Sequence, residues 1–227
     1  VVCFAPVEQE KKRGNVSVTK VRKLSKFMAA SIAAACFATG ASASIVTNGS
    51  FEDNPGVGLG DWAVFASLPG WTIDSGPGIE LQTQPTLGLT PYDGDYYAEL
   101  DSHANSSMSQ TVSLSEGWHE LSFGFSPRTS DPTTNGISYG IAGLFWRMIT
   151  GPDANSSVGS WTDVTASFKV AASGDYKLFF DATTNSDSYG GFVDDIAIAP
   201  VPLPASALLL LGGLGALGLM RRRRKAA

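Results

Sequence analysis

The sequence predicts an all-β fold for the central part of the chain, a two-sheet sandwich or jelly roll, and three observations carry that prediction. From Ile45 onward, short segments alternate apolar and polar residues with the period of a half-buried strand. Between them lie clusters such as NPGVGLG and PYDGDYY, whose Gly, Pro, Asn and Asp suit turns and would break a helix. No long stripe of helical period runs through the region. The 25 glycines follow no fixed period, which sets aside a collagen-like repeat or a solenoid.

Taken in order, candidate strands lie at residues 78–82, 96–101, 108–114, 119–125, 137–148, 162–170, 175–182 and 192–199. Roughly eight to ten strands with turn-rich connections suit two packed sheets. In HELSFGF, Leu121, Phe123 and Phe125 share one face, with Glu120, Ser122 and Gly124 on the other. In DYKLFFDA, Tyr176, Leu178 and Phe180 oppose Lys177 and Asp181. Parity in the last strand puts Phe192, Asp194, Ile196 and Ile198 on one face, so Asp194 is expected to point at the core unless a ligand compensates its charge. The alternative is a bulged strand with Asp194 and Asp195 both solvated.

The flanks differ from this body. Residues 1–17 lack a hydrophobic period and read as a leader or an over-extended start. Residues 18–43 have a basic beginning, an apolar centre from Phe27 to Phe37 and the small-residue exit Ala41-Ser42-Ala43, the layout of a secretory signal cut by signal peptidase before Ser44. A buried amphipathic helix is a weaker reading, since nothing in it calls for the positive flank and the A-x-A exit, and a lipoprotein signal at Cys36 is weaker because Ala33-Ala34-Ala35 lacks the usual Leu at the third position back. At the other end, Val201-Pro202-Leu203-Pro204 precedes an apolar stretch from Ala205 to Met220 and then Arg221, Arg222, Arg223, Arg224 and Lys225. The stretch is short but plausible as a transmembrane helix, and the cations after it hold the C-terminus in the cytoplasm. The body, residues 44–200, is then outside the inner membrane.

Charge and residue usage exclude several function classes. Residues 45–200 hold four basic side chains (Arg128, Arg147, Lys169, Lys177) against 19 acidic ones, a net charge of −15, which repels nucleic acid. Both cysteines, Cys3 and Cys36, precede the body, so it has no disulfide, thiolate nucleophile or cysteine metal site. Its two histidines, His103 in a polar loop and His119 at a strand start, come with neither a G-x-S-x-G nor an H-E-x-x-H motif. Paired carboxylates, the requirement of a glycosidase, occur by chance among so many acids. DATTNSDSYGG lacks the order of an EF-hand loop. Asn48, Asn105 and Asn155 match the N-glycosylation pattern by chance in a Ser- and Asn-rich chain.

Sugar binding remains, and it calls for aromatic faces beside polar groups. Trp62, Tyr92 and Tyr97, with Arg128 as polar partner, are the candidate ligand-binding residues. Trp118, Tyr139, Trp146, Tyr189 and Asp101 complete the set from which they are drawn.

Two resemblances add to these readings. The order of NGSFE (48–52), GW (70–71), DGDYYAELD (93–101), MSQTVSL (108–114), WHELSFGFSPR (118–128) and GGFVDDIAI (190–198) resembles the galactose-binding-like jelly roll, the fold of many carbohydrate-binding modules and secreted bacterial wall proteins. That resemblance implies a structural calcium held by Glu52 with Asp194 or Asp195, and a polysaccharide partner. The tail resembles the PEP-CTERM sorting signal in a V-P-L-P-A variant, with Leu203 where the naming motif has Glu. It implies processing near the Pro motif by an exosortase, a membrane peptidase of polysaccharide-exporting bacteria; a permanent single-span anchor is the alternative. The expectation is therefore an exported Gram-negative envelope or matrix protein with a non-catalytic glycan-binding or adhesion domain. A purely structural matrix protein and a carboxylate-dependent glycosidase are the rivals.

Overall fold

The structure is a computed structural model that describes residues 44–57, 61–84, 88–152 and 157–202. The signal peptide with Ala41 and Ala43, both cysteines, Asn155 and the tail from Leu203 through the Arg221–Arg224 cluster lie outside the described residues. Among those described, no helix is long and apolar enough to cross a membrane.

Twelve strands form: β1 (Trp62–Phe65), β2 (Ser67–Leu68), β3 (Trp71–Ser75), β4 (Ile79–Thr83), β5 (Tyr96–Glu99), β6 (Ser107–Leu114), β7 (Gly117–Ser126), β8 (Ile137–Ile141), β9 (Phe145–Ile149), β10 (Thr162–Val170), β11 (Gly174–Ala182) and β12 (Phe192–Pro200). They pair antiparallel into two six-stranded sheets, ordered β1-β4-β5-β12-β7-β10 and β2-β3-β6-β11-β8-β9. This is the expected all-β sandwich.

The core lies between the sheets. Leu121, Phe123 and Phe125 of β7 meet Leu178 and Phe180 of β11, with Phe123 5.1 Å from Phe180 and 4.8 Å from Tyr139 between ring centroids. These side chains come from the alternating segments, and their burial is the main favourable term in folding. Trp71 and Phe51 close one part of this core at 5.9 Å, and the Trp71 indole donates to the Asn48 carbonyl.

Two expectations are corrected. Residues 137–148 are a hairpin rather than one strand: β8 turns through Ala142, Gly143 and Leu144 into β9, with Gly143 at φ 79°. The left-handed angle at Gly is what a short hairpin loop needs. The parity of β12 also breaks. Its pairing with β7 shifts between Asp194 and Ala197, one extra residue is accommodated there, and Asp195 sits at φ 49°. Such a bulge flips the side-chain alternation. Val193 therefore enters the core before it and Ile196 and Ile198 after it, while Phe192 lies in a separate cluster. The first three strands, β1 to β3, fall in a stretch where alternation predicted none.

Candidate functional site

The first sheet has a second face turned away from the core, and the chemistry gathers there. In β4, Ile79 and Leu81 join the core, so Glu80 and Gln82 project outward; in β5, Ala98 faces inward and Tyr97 and Glu99 outward. The register sets Glu80 opposite Glu99 and Gln82 opposite Tyr97, while Trp62 of β1 lies opposite Gln82 on its other side. Part of this face is covered. Leu89, Tyr97 and Phe192 cluster with Trp161 against them, and the Trp161 indole donates to the Thr90 carbonyl at 2.7 Å.

The uncovered part is a cleft of about 480 Å³. Trp62, 46% exposed, and Tyr189, 51% exposed, line it together with His103. Trp62 meets the His103 ring edge-on at 6.1 Å. Its polar lining is Glu80, Gln82, Arg128, Ser102 and Ser188. Ser102 is buried, and its Oγ has no hydrogen-bond partner.

Beneath the lining lies a closed polar network. Glu99 is fully buried and accepts from Arg128 Nη1 at both oxygens (2.7 and 2.5 Å), from Gln82 Nε2 (2.8 Å) and from the Gly190 amide (2.7 Å). Burial pushes its carboxyl above the usual carboxylate range, and the neighbouring guanidinium pulls against that. Arg128 Nη1 also donates to the Ser188 carbonyl, and its guanidinium carbon lies 4.9 Å from the Tyr189 ring centroid. Gln82 Nε2 bridges to Glu80 Oε1 at 2.7 Å and its Oε1 accepts from the Tyr97 hydroxyl. Desolvation raises the Glu80 carboxyl as well. Arg128 is held so that its charge is matched by Glu99.

The loop that carries Ser188 and Tyr189 is shaped by Asp101. This buried carboxylate accepts the amides of Asp187 (3.0 Å) and Ser188 (3.2 Å), and Ser188 adopts φ 68°. Asp101 thus positions Tyr189 without lining the cleft.

Of the sequence-derived ligand residues, the structure brings together Trp62 and Arg128, along with Tyr189. Tyr97 is fully buried and reaches the cleft only through Gln82. Tyr92 lies elsewhere, its ring packed over Gly124 and its hydroxyl donating to Asp163 at 2.5 Å beside a smaller cavity of about 170 Å³. That hydrogen bond to a carboxylate lifts the phenol to about 12. Tyr139 is core, while Trp118 and Trp146 are exposed away from the cleft. His103 is exposed as expected, yet it borders the cleft. Glu80 and Gln82 escaped sequence reasoning because an outward polar residue on a strand looks like any solvated one, and Ser102 because it lies in a polar loop after β5.

The residues assigned to calcium have other partners. Glu52 Oε1 accepts the amides of Asp95 (2.8 Å) and Tyr96 (3.0 Å). Gly94 lies directly under that carboxylate at φ 64°, where a Cβ would collide with it. Asp194 is fully buried: Oδ2 accepts the amides of Tyr92 (2.9 Å) and Asp93 (3.0 Å), and Oδ1 that of Asp195 (2.7 Å). Asp195 is exposed. Among the described residues, no three His, Cys, Asp or Glu side chains are grouped to hold a metal. Two of the three sequon asparagines have structural partners: the Asn48 amide donates to the Asp53 and Pro69 carbonyls, and that of Asn105 to the Thr184 carbonyl.

Residues 200–225 match the family model described as the PEP-CTERM protein-sorting motif. The chain therefore carries that sorting signal at its C-terminus, over the stretch where the sequence placed it. Among curated proteins none matches the chain. Similar solved structures include TmCBM61 in complex with beta-1,4-galactotriose (16% identity, 70% of this chain and 100% of that one, TM-score 0.47). Others are family 16 carbohydrate binding module-2 (15%, 69% and 99%, 0.48) and CBM35 from Cellvibrio japonicus Abf62 (13%, 62% and 93%, 0.42). Likenesses at this level say nothing about the cleft itself.

Proposed function

We propose that this protein is exported, targeted by its PEP-CTERM sorting signal, and binds a glycan, without transforming it, in the cleft between Trp62 and Tyr189. One observation carries the reading: two half-exposed aromatic side chains line a cleft with pre-positioned polar groups. An aromatic face covers the apolar face of a pyranose, and fixed donors and acceptors meet its hydroxyls. Replacing Trp62 or Tyr189 by Ala removes a wall while leaving the core intact. Affinity electrophoresis through gels containing different polysaccharides checks this: retardation by at least one polysaccharide is expected, weakened about tenfold in each variant, in line with truncating a buried hot spot. No retardation by any polysaccharide would favour the purely structural matrix protein.

A glycosidase needs one carboxyl to give a proton and another to attack or activate water. Glu80 and Glu99 face each other across two strands, but Glu99 is fully buried with both oxygens engaged by Arg128, Gln82 and Gly190. It has no path to a substrate. His119 is also buried, stacked on Phe168 at 5.7 Å, and neither ring nitrogen has a hydrogen-bond partner. Oligosaccharide release on long incubation would overturn the non-catalytic reading.

Signal peptidase, an exosortase-type peptidase and the inner membrane are the partners in export, and the envelope, outer surface or extracellular matrix of a Gram-negative bacterium is the destination. A structural calcium at Glu52 with Asp194 or Asp195 is a separate proposal, and the observed hydrogen bonds weigh against it. Backbone amides already point at the exposed Glu52 carboxylate and at the buried Asp194 one, whereas calcium takes six to eight oxygen ligands. Chelation is expected to leave the melting temperature unchanged; a fall of several degrees, restored by calcium, would reinstate the ion.

A further inference from the structure

Glu80 sets the cleft apart from a merely polar groove. Its side chain lines the cleft although the residue is only 5% exposed, and it makes no ion pair among the described residues, where the two salt bridges are Arg128–Glu99 and Lys177–Asp74. Arg128, the nearby cation, is matched to Glu99 through both carboxylate oxygens. One guanidinium thus stands against two carboxylates, and the domain around it carries 19 acids against four bases. A buried carboxylate without a cation is costly, and a ligand cation relieves that cost more fully than a hydroxyl does. Trp62 and Tyr189 supply aromatic faces, which attract an ammonium group through the ring quadrupole. Independently, Ser102, also 5% exposed and lining the cleft, has an Oγ with no partner.

We infer that the cleft takes an amino-sugar glycan bearing free, protonated amines, with Glu80 receiving the ammonium group, Trp62 stacking on the sugar ring and Ser102 bonding a hydroxyl. The inference rests on the glycan-binding reading of the same cleft. An anionic glycan such as a uronate polymer is repelled by Glu80 and by the net charge of the domain.

Calorimetric titration of the full chain in detergent micelles, at near-neutral pH where a share of the sugar amines is protonated and the carboxyl of Glu80, raised by burial, is ionised, tests it with four probes: a β-1,4-glucosamine hexamer, its fully N-acetylated form, cellohexaose and a hexagalacturonate. The glucosamine hexamer is expected to bind at least tenfold more tightly than the acetylated or neutral hexamers, with no binding of the galacturonate. Glu80→Gln should bring the three binding probes to one affinity, and Trp62→Ala should weaken all three. Equal or tighter binding of a neutral or acetylated hexamer would overturn the amine preference and leave the glycan cleft standing. An amine preference that survives Glu80→Gln and vanishes with added salt would assign it to diffuse attraction by the acidic surface, and so also overturn the role of Glu80. Failure of all four probes would overturn both readings.

Discussion

Arg128 is tied to the cleft and to the fold at once. Its guanidinium lies near the ring of Tyr189, and its Nη1 holds Glu99 and the Ser188 carbonyl. Truncation to Ala would leave the Glu99 carboxylate fully buried without its cation, and removing one partner of such a pair costs about 3–5 kcal/mol. Chemical denaturation of Arg128→Ala is expected to show a loss of that order. The double variant Arg128→Ala with Glu99→Gln should recover much of it, because the uncompensated charge goes too. A double loss equal to the sum of the single losses would mean that the pair is not coupled. Arg128 was legible in the sequence as a rare cation in an acidic body. That it is occupied by Glu99 was not, because the pairing depends on Pro127 and Arg128 following β7 beside a strand nearly thirty residues earlier.

At the scale of elements, the bulge in β12 places a fully buried acid, Asp194. It turns Asp194 away from the core and onto the amides of residues 92, 93 and 195. Burial lifts that carboxyl to about 8, against the opposing pull of those amides. The unfolded chain ionises near 3.8 and the native state near 8, so the native state binds more protons between those limits. The stability contribution is thus fully present below the unfolded value and is lost as pH rises through 8. Melting scans are expected to give a temperature higher at pH 5 than at pH 8, by on the order of 5 °C, with a shallower slope for Asp194→Asn. A melting temperature rising over that range would contradict the assignment. Strict alternation could not reveal this bulge: the αL position is filled by Asp195, not by a glycine that would have marked it. Seven of the eight expected strands are present and the eighth is split into β8 and β9, because long alternating runs such as HELSFGF bury one full face. β1 to β3 are short, and β1 and β2 lie at sheet edges, where little alternation is needed.

For the whole molecule, the sandwich and the sorting signal were the legible parts, since both are written as order along the chain. The cleft was half legible. Trp62 and Arg128 stand out by residue type, whereas Glu80 and Gln82 gain their meaning only when β4 lies against β5 in the observed register. Mass spectrometry of the exported protein from its native host is expected to show a chain beginning at Ser44 and ending between residues 200 and 206. A C-terminus at Ala227 would favour the permanent anchor.

The last strand runs into that signal without a spacer. β12 ends at Pro200, and the amide of Val201, the first residue of the Pro motif, still donates to the Trp118 carbonyl at 2.8 Å. On the proposed processing, a peptidase cutting at the motif would work flush against a folded sheet or peel its final residue away. If the tail is cut there, the paired end of β12 would act as a brake on release of the domain.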